Sequence, residues 1–119
     1  MKTILTLLTS MAIALPAFAH DVVKGPNGGR VADAGNYHVE LVAKEASINV
    51  YLTDANDKPV SPQGFKGTAI LVDSGKSVRI TLEPSSVALT GKAAAVLPGS
   101  PAGAVLITDP KGKTAQAKF

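Results

Sequence analysis

Asn36-Tyr37-His38-Val39-Glu40-Leu41-Val42-Ala43-Lys44 alternates in character from residue to residue. At a period of two, Tyr37, Val39, Leu41 and Ala43 share one face and His38, Glu40, Val42 and Lys44 the other, which is the pattern of a half-buried strand. Ser47 to Thr53 repeats it, gathering Ile48, Val50 and Leu52 on one side before the polar turn Asp54-Ala55-Asn56-Asp57-Lys58-Pro59. The two strands are expected to form a hairpin through Lys44-Glu45-Ala46. Working outward, Phe65 to Asp73 and Ser77 to Glu83 flank Ser74-Gly75-Lys76, where glycine supplies the positive φ of a tight hairpin loop. Past Pro84 the alternation weakens, and Val87 to Leu89 is too short to place. Further strands are expected near Ala93 to Leu97, Ala104 to Asp109 and Thr114 to Lys118, the last two joined by the turn Pro110-Lys111-Gly112-Lys113. About seven short strands with frequent turns predict an all-β fold, an antiparallel β-sandwich of immunoglobulin-like size.

Upstream of the first strand, residues 20–30 form a glycine- and proline-rich arm. Its Gly25-Pro26-Asn27-Gly28-Gly29 disfavours helix and predicts a turn laid on the body, with regular structure starting near Arg30. Residues 1–19 have the pattern of a cleavable signal peptide. Lys2 is a minimal basic start, Ile4 to Leu15 is apolar, Pro16 breaks helix, and Ala17-Phe18-Ala19 is a small-x-small cleavage site. An apolar run of about 12 residues is short of the roughly 20 that a bilayer demands. Cleavage leaves residues 20–119 as a single β-sandwich domain with its arm, periplasmic in location and without a membrane span.

Composition narrows the chemistry. The whole chain carries a formal net charge of +3, Lys2 leaves with the signal, and the remaining lysines are scattered, so no nucleic-acid footprint is present. With no cysteine, packing and not disulfides must hold the fold. Both methionines, Met1 and Met11, lie in the signal. The mature chain therefore has no sulfur donor, which excludes the Cys- and Met-rich sites suited to Cu(I).

Two histidines remain, and cleavage after Ala19 makes His20 the amino terminus. Its α-amine and ring Nδ1 can then close a chelate on one metal ion, and an α-amine loses its proton at about pH 7.7 to 8.0, well below a lysine. His38, expected on the solvent face beside Glu40, is the candidate third nitrogen, with Asp21 or Glu40 as carboxylate. Three nitrogens and an oxygen suit Cu(II), whose preferred geometry is tetragonal, and Zn(II) could take the same donors. A histidine after a cleavage site, or alone on a strand, is also an ordinary solvated side chain.

Other motifs do not hold. Gly75-Lys76-Ser77 imitates the end of a phosphate-binding loop, but Ile70 stands where the first glycine is required. Asp54, Asn56 and Asp57 resemble a calcium loop only until its sixth and twelfth positions, which are Pro59 and Phe65. No serine sits in a Gly-x-Ser-x-Gly elbow, and the mature chain has only Tyr37, Tyr51, Phe65 and Phe119 as aromatics. An enzyme is not expected.

Gly25-Pro26-Asn27-Gly28-Gly29-Arg30, followed by Gly35-Asn36-Tyr37-His38-Val39-Glu40-Leu41-Val42, resembles a group of small periplasmic proteins of proteobacteria. Over this segment alone it is also similar to periplasmic adaptor subunits of heavy-metal efflux pumps of the resistance-nodulation-division type. The likeness to the small proteins extends to Gly112-Lys113-Thr114-Ala115-Gln116-Ala117. It departs from their pattern at Lys24, where a histidine often precedes Gly-Pro, while His38 matches directly. The resemblance implies a periplasmic accessory of metal-ion homeostasis or efflux, with an efflux pump or another envelope protein as partner. The alternative is a metal-free interaction module that docks on an envelope partner through its arm or a strand edge.

Overall fold

The alternating stretches are strands in the computed structural model of the chain, which describes residues 23–119. Residues 1–19, expected as a signal peptide, and His20 and Asp21 lie outside the described residues. The founding hairpin is β3 (Tyr37–Lys44) and β4 (Ser47–Thr53), closed between Lys44 and Ser47 with Glu45 at φ 56°. Before them come β1 (Val23–Lys24) and β2 (Arg30–Ala34); after them β5 (Lys66–Asp73), β6 (Lys76–Pro84), β7 (Leu89–Lys92), β8 (Ala102–Thr108) and β9 (Thr114–Lys118). Ser74 and Gly75, both at positive φ, make the two-residue turn between β5 and β6. Both residues in that region is what the favoured hairpin turn needs.

The all-β expectation holds, and all the pairings between these strands are antiparallel. The expectation of seven strands in a sandwich is corrected. Among the described residues, nine strands form one sheet in the order β1-β2-β3-β4-β7-β6-β5-β8-β9, curled into a half-barrel. The physical reason is β7, which pairs with β4 along Ser47 to Val50 and with Glu83 and Pro84 of β6. That short strand joins what would otherwise be two facing sheets.

Ala93 to Leu97, expected as a strand, is irregular. Two of its amides bond the β3–β4 turn, Ala93 N–H donating to the Ala46 carbonyl and Leu97 N–H to that of Glu45. Leu97 is buried there as an anchor. The curl brings β2 against β9 without a ladder between them. A Cβ placed on Gly35 would lie 3.2 Å from Cβ of Ala115, and the Arg30 guanidinium stands 5.6 Å from the ring centroid of Phe119 while donating to the Pro101 carbonyl.

The concave side holds one core. Val39 and Leu41 of β3 meet Ile48, Val50 and Leu52 of β4, the faces the alternation assigns, and Leu71, Leu89 and Ile107 close it from the other strands. Each fully buried aliphatic side chain of this size contributes about 1.5–3 kcal/mol. Tyr37 and Phe65 seal one end edge to face, their ring centroids 5.4 Å apart. The convex side of β2, β3 and β4 is where the polar residues of interest stand.

Candidate metal site on the convex face

Glu40 points to the convex side of β3, as the alternation requires, yet it is only 4% exposed. The glycine-rich arm lies over it. Asn27 N–H and Gly29 N–H donate to Oε2 at 2.9 and 2.8 Å, and Asn27 Nδ2 donates to Oε1 at 2.9 Å. A buried carboxylate is tolerable only when its oxygens are satisfied in this way. The arm closes its own turn with Gly28 N–H to the Gly25 carbonyl and Gly25 N–H to that of Gly29. Glycine is required by contact: a Cβ on Gly25 would sit 2.2 Å from Cδ of Glu40, and one on Gly29 2.3 Å from the Leu41 carbonyl oxygen. The expectation of an exposed Glu40 is therefore corrected. Its lone pairs serve the arm.

His38 lies two residues earlier on the same face, and the β2–β3 register sets Asp33 opposite it. Nδ1 is 2.6 Å from Asp33 Oδ1. A carboxylate oxygen only accepts, so the proton of that contact belongs to Nδ1 and Nε2 of the neutral ring is left with a lone pair. Nε2 is 3.7 Å from Asp57 Oδ1, beyond hydrogen-bonding range. The ring is one-third exposed and the two aspartates are largely so.

Asp57 reaches this position from the β4–β5 loop. Asp54 shapes that loop: its Oδ1 accepts Lys58 N–H at 3.0 Å and Asn56 N–H at 2.8 Å, and these bonds hold its carboxyl below the ordinary value, with the Lys58 charge lowering it further. Asp57 N–H donates to the Asp54 carbonyl, and Asp57 itself sits at φ 61°, a conformation Asp and Asn adopt more readily than other side chains. Between loop, arm and sheet runs a groove of about 390 Å³, lined by Pro26, Val31, His38, Tyr51, Pro59 and Val87 among others. Its lining is mainly apolar and includes the His38 imidazole.

Of the four residues expected to hold a metal, His38 stands on this face with a bare nitrogen, Glu40 is engaged by the arm, and His20 and Asp21 lie outside the described residues. Among the described residues no three side chains converge as a complete metal site. Asp33 and Asp57 were not expected. Reading Gly35-Asn36 as a two-residue hairpin turn would have paired Asp33 with His38, whereas nothing in the sequence brings Asp57 to the ring. Among the described residues no helix is long and apolar enough to cross a membrane. No protein-family model, curated protein or solved structure matches the chain.

Proposed function

We propose that this is an exported, periplasmic accessory of metal-ion homeostasis or efflux, which holds a divalent ion, Cu(II) foremost, between the processed amino terminus and the body of the sheet. One observation carries the reading: Asp33 holds the His38 ring by Nδ1 at 2.6 Å, leaving Nε2 free to coordinate. Metal-binding histidines commonly have this arrangement, in which a carboxylate on the far nitrogen fixes tautomer and orientation.

Chain direction supports the amino terminus as the other donor. β1 pairs Val23 with Val31 and Lys24 with Arg30, so the start of β1 faces the end of β2 at which Asp33 stands. His20 is three residues before Val23, a span of at most about 10 Å when extended, and Asp33 is two positions beyond Val31, about 7 Å along the strand. Asp21 lies on the same stretch. Glu40 has no part in this donor set, because its oxygens serve the arm. The role involves no catalytic step, and the ion would pass to or from an envelope partner such as an efflux pump.

The test is calorimetric titration of Cu(II) into protein cleaved after Ala19, beside His38→Ala and a form with one extra glycine before His20. Each change should weaken binding at least tenfold, since each removes a nitrogen donor or the chelate ring. Equal and weak binding by all three forms would refute the proposal.

A further inference from the structure

We infer that Asn27-Gly28 is a site of spontaneous deamidation, guarded while the arm is latched on Glu40 and releasing that latch once it has reacted. Only residues of the arm and β3 take part, so the site does not depend on the metal reading.

Asn27 is followed by glycine, whereas Asn36, Asn49 and Asn56 precede Tyr37, Val50 and Asp57. The reaction is intramolecular and needs only water. The backbone nitrogen of Gly28 gives up its proton and bonds to Cγ of Asn27, the Cγ–Nδ2 bond breaks, and Nδ2 leaves as ammonia with that proton. Water then opens the succinimide ring at one of its two carbonyls, giving aspartate or isoaspartate, in which the main chain runs through the side-chain carboxyl. Glycine favours ring closure because no Cβ stands beside the attacking nitrogen. The turn needs glycine there for another reason: position 28 sits at φ 81°, although a Cβ on it would meet nothing within 4 Å. The reactive pair is therefore built into the turn.

Latching opposes each step. Gly28 N–H is held by the Gly25 carbonyl at 3.1 Å and Nδ2 by Glu40 Oε1 at 2.9 Å, so neither the attacking nitrogen nor the leaving group is free to turn into line. The Glu40 carboxylate also repels the negative charge that develops as the peptide nitrogen loses its proton. Reaction waits for the arm to lift, a local opening whose population sets the rate.

The product cannot restore the latch. Aspartate puts a carboxylate oxygen where Nδ2 donates, 2.9 Å from Oε1, and like charges at that distance repel. Isoaspartate adds a methylene to the main chain between residues 27 and 28. The N–H groups of residues 27 and 29, which converge on Oε2 at 2.9 and 2.8 Å, then lose their common spacing. Either way Glu40 is deprived of donors, and the arm stays off the sheet.

The test incubates wild type, Glu40→Gln and Gly25→Ala under native conditions, with wild type in urea as the unlatched reference, and follows residue 27 by peptide-mapping mass spectrometry. The two variants loosen the arm differently, one by removing the acceptor's charge and the other by driving a methyl group against it; circular dichroism checks that each keeps the sheet. Folded wild type should deamidate at residue 27 about tenfold or more slowly than in urea, and both variants should recover most of that factor. Hydrogen exchange on the deamidated wild type, which needs no variant, should show the Gly25 and Gly29 amides unprotected while those of β3 and β4 keep their protection. Equal rates in folded wild type and in wild type in urea would mean that the latch does not guard the site. Arm amides that stay protected after deamidation would mean that reaction does not release it, and either result overturns the inference.

Discussion

A single carboxylate decides how the arm lies. Glu40 is almost wholly covered by sheet and arm, so replacing it with alanine leaves the N–H groups of Asn27 and Gly29 without their acceptor. At the usual cost of losing bonds to a charged acceptor, Glu40→Ala should lower stability by about 2–4 kcal/mol, read as a shift in the urea midpoint. Gly25→Ala should destabilise for the opposite reason, by driving a methyl group into that carboxylate, and Glu40→Ala should largely mask its effect if the two act through one contact. Asp54 behaves differently because it is exposed. Its carboxyl is held low by the N–H groups of Lys58 and Asn56, so the loop gains stability that is fully present above the ordinary value near 3.8 and is lost as pH falls through the lower folded value. Proton exchange of the Asn56 and Lys58 amides, followed by NMR, should quicken selectively in that acid window and in Asp54→Ala at any pH. Sequence placed Glu40 on the correct face, but its burial depends on a segment eleven or more residues away, which strand periodicity does not register.

At the scale of elements, the strands with clean alternation were legible and the joining strand was not. β3, β4, β5 and β6 each carry a two-residue period with a turn signal at the end, and their edges fall close to the expected positions. β7 is four residues long and contains Gly91, so it has neither period nor propensity. Glycine is there because the sheet folds tightly at that place: a Cβ on Gly91 would stand 2.7 Å from both Ile80 Cγ2 and the Thr81 carbonyl oxygen. Glycine inside a strand is itself a sign of close backbone approach. Gly91→Ala should therefore cost about 1–3 kcal/mol by overpacking, measured by thermal unfolding, although alanine is the better residue for an isolated strand. Ala93 to Leu97 misled in the other direction. Its run of small apolar residues reads as a strand, but the amides at its two ends bond the β3–β4 turn, a partner distant in sequence.

For the molecule as a whole, one continuous core implies one cooperative transition, monitored alike by circular dichroism and by tyrosine fluorescence. Leu71→Ala, at a fully buried site, should lower the stability of the entire sheet by about 2–5 kcal/mol without splitting that transition. A bound ion would act in the same global way. If Cu(II) binds only the folded, processed form, free metal at a hundred times the dissociation constant adds about 2.7 kcal/mol, and the unfolding temperature should rise with metal concentration in wild type but not in His38→Ala. The surroundings of His38 were half legible at this scale. His38 was evident as a rare residue on an open face, whereas Asp33 and Asp57 converge on it only because a hairpin register and a capped loop carry them there.

The glycine-rich turn and Glu40 have a consequence for tracing ancestry. Gly25, Asn27, Gly29 and Glu40 constitute one constraint, written as Gly-x-Asn-x-Gly, ten intervening residues, then Glu, and no member can drift without penalty from the others. Sequences that keep this signature would do so to preserve a way of fastening a glycine-rich arm to a sheet. A likeness confined to it is testimony about descent and architecture. Shared chemistry would have to be sought in the positions equivalent to Asp33, His38 and Asp57, which the fastening leaves free to vary.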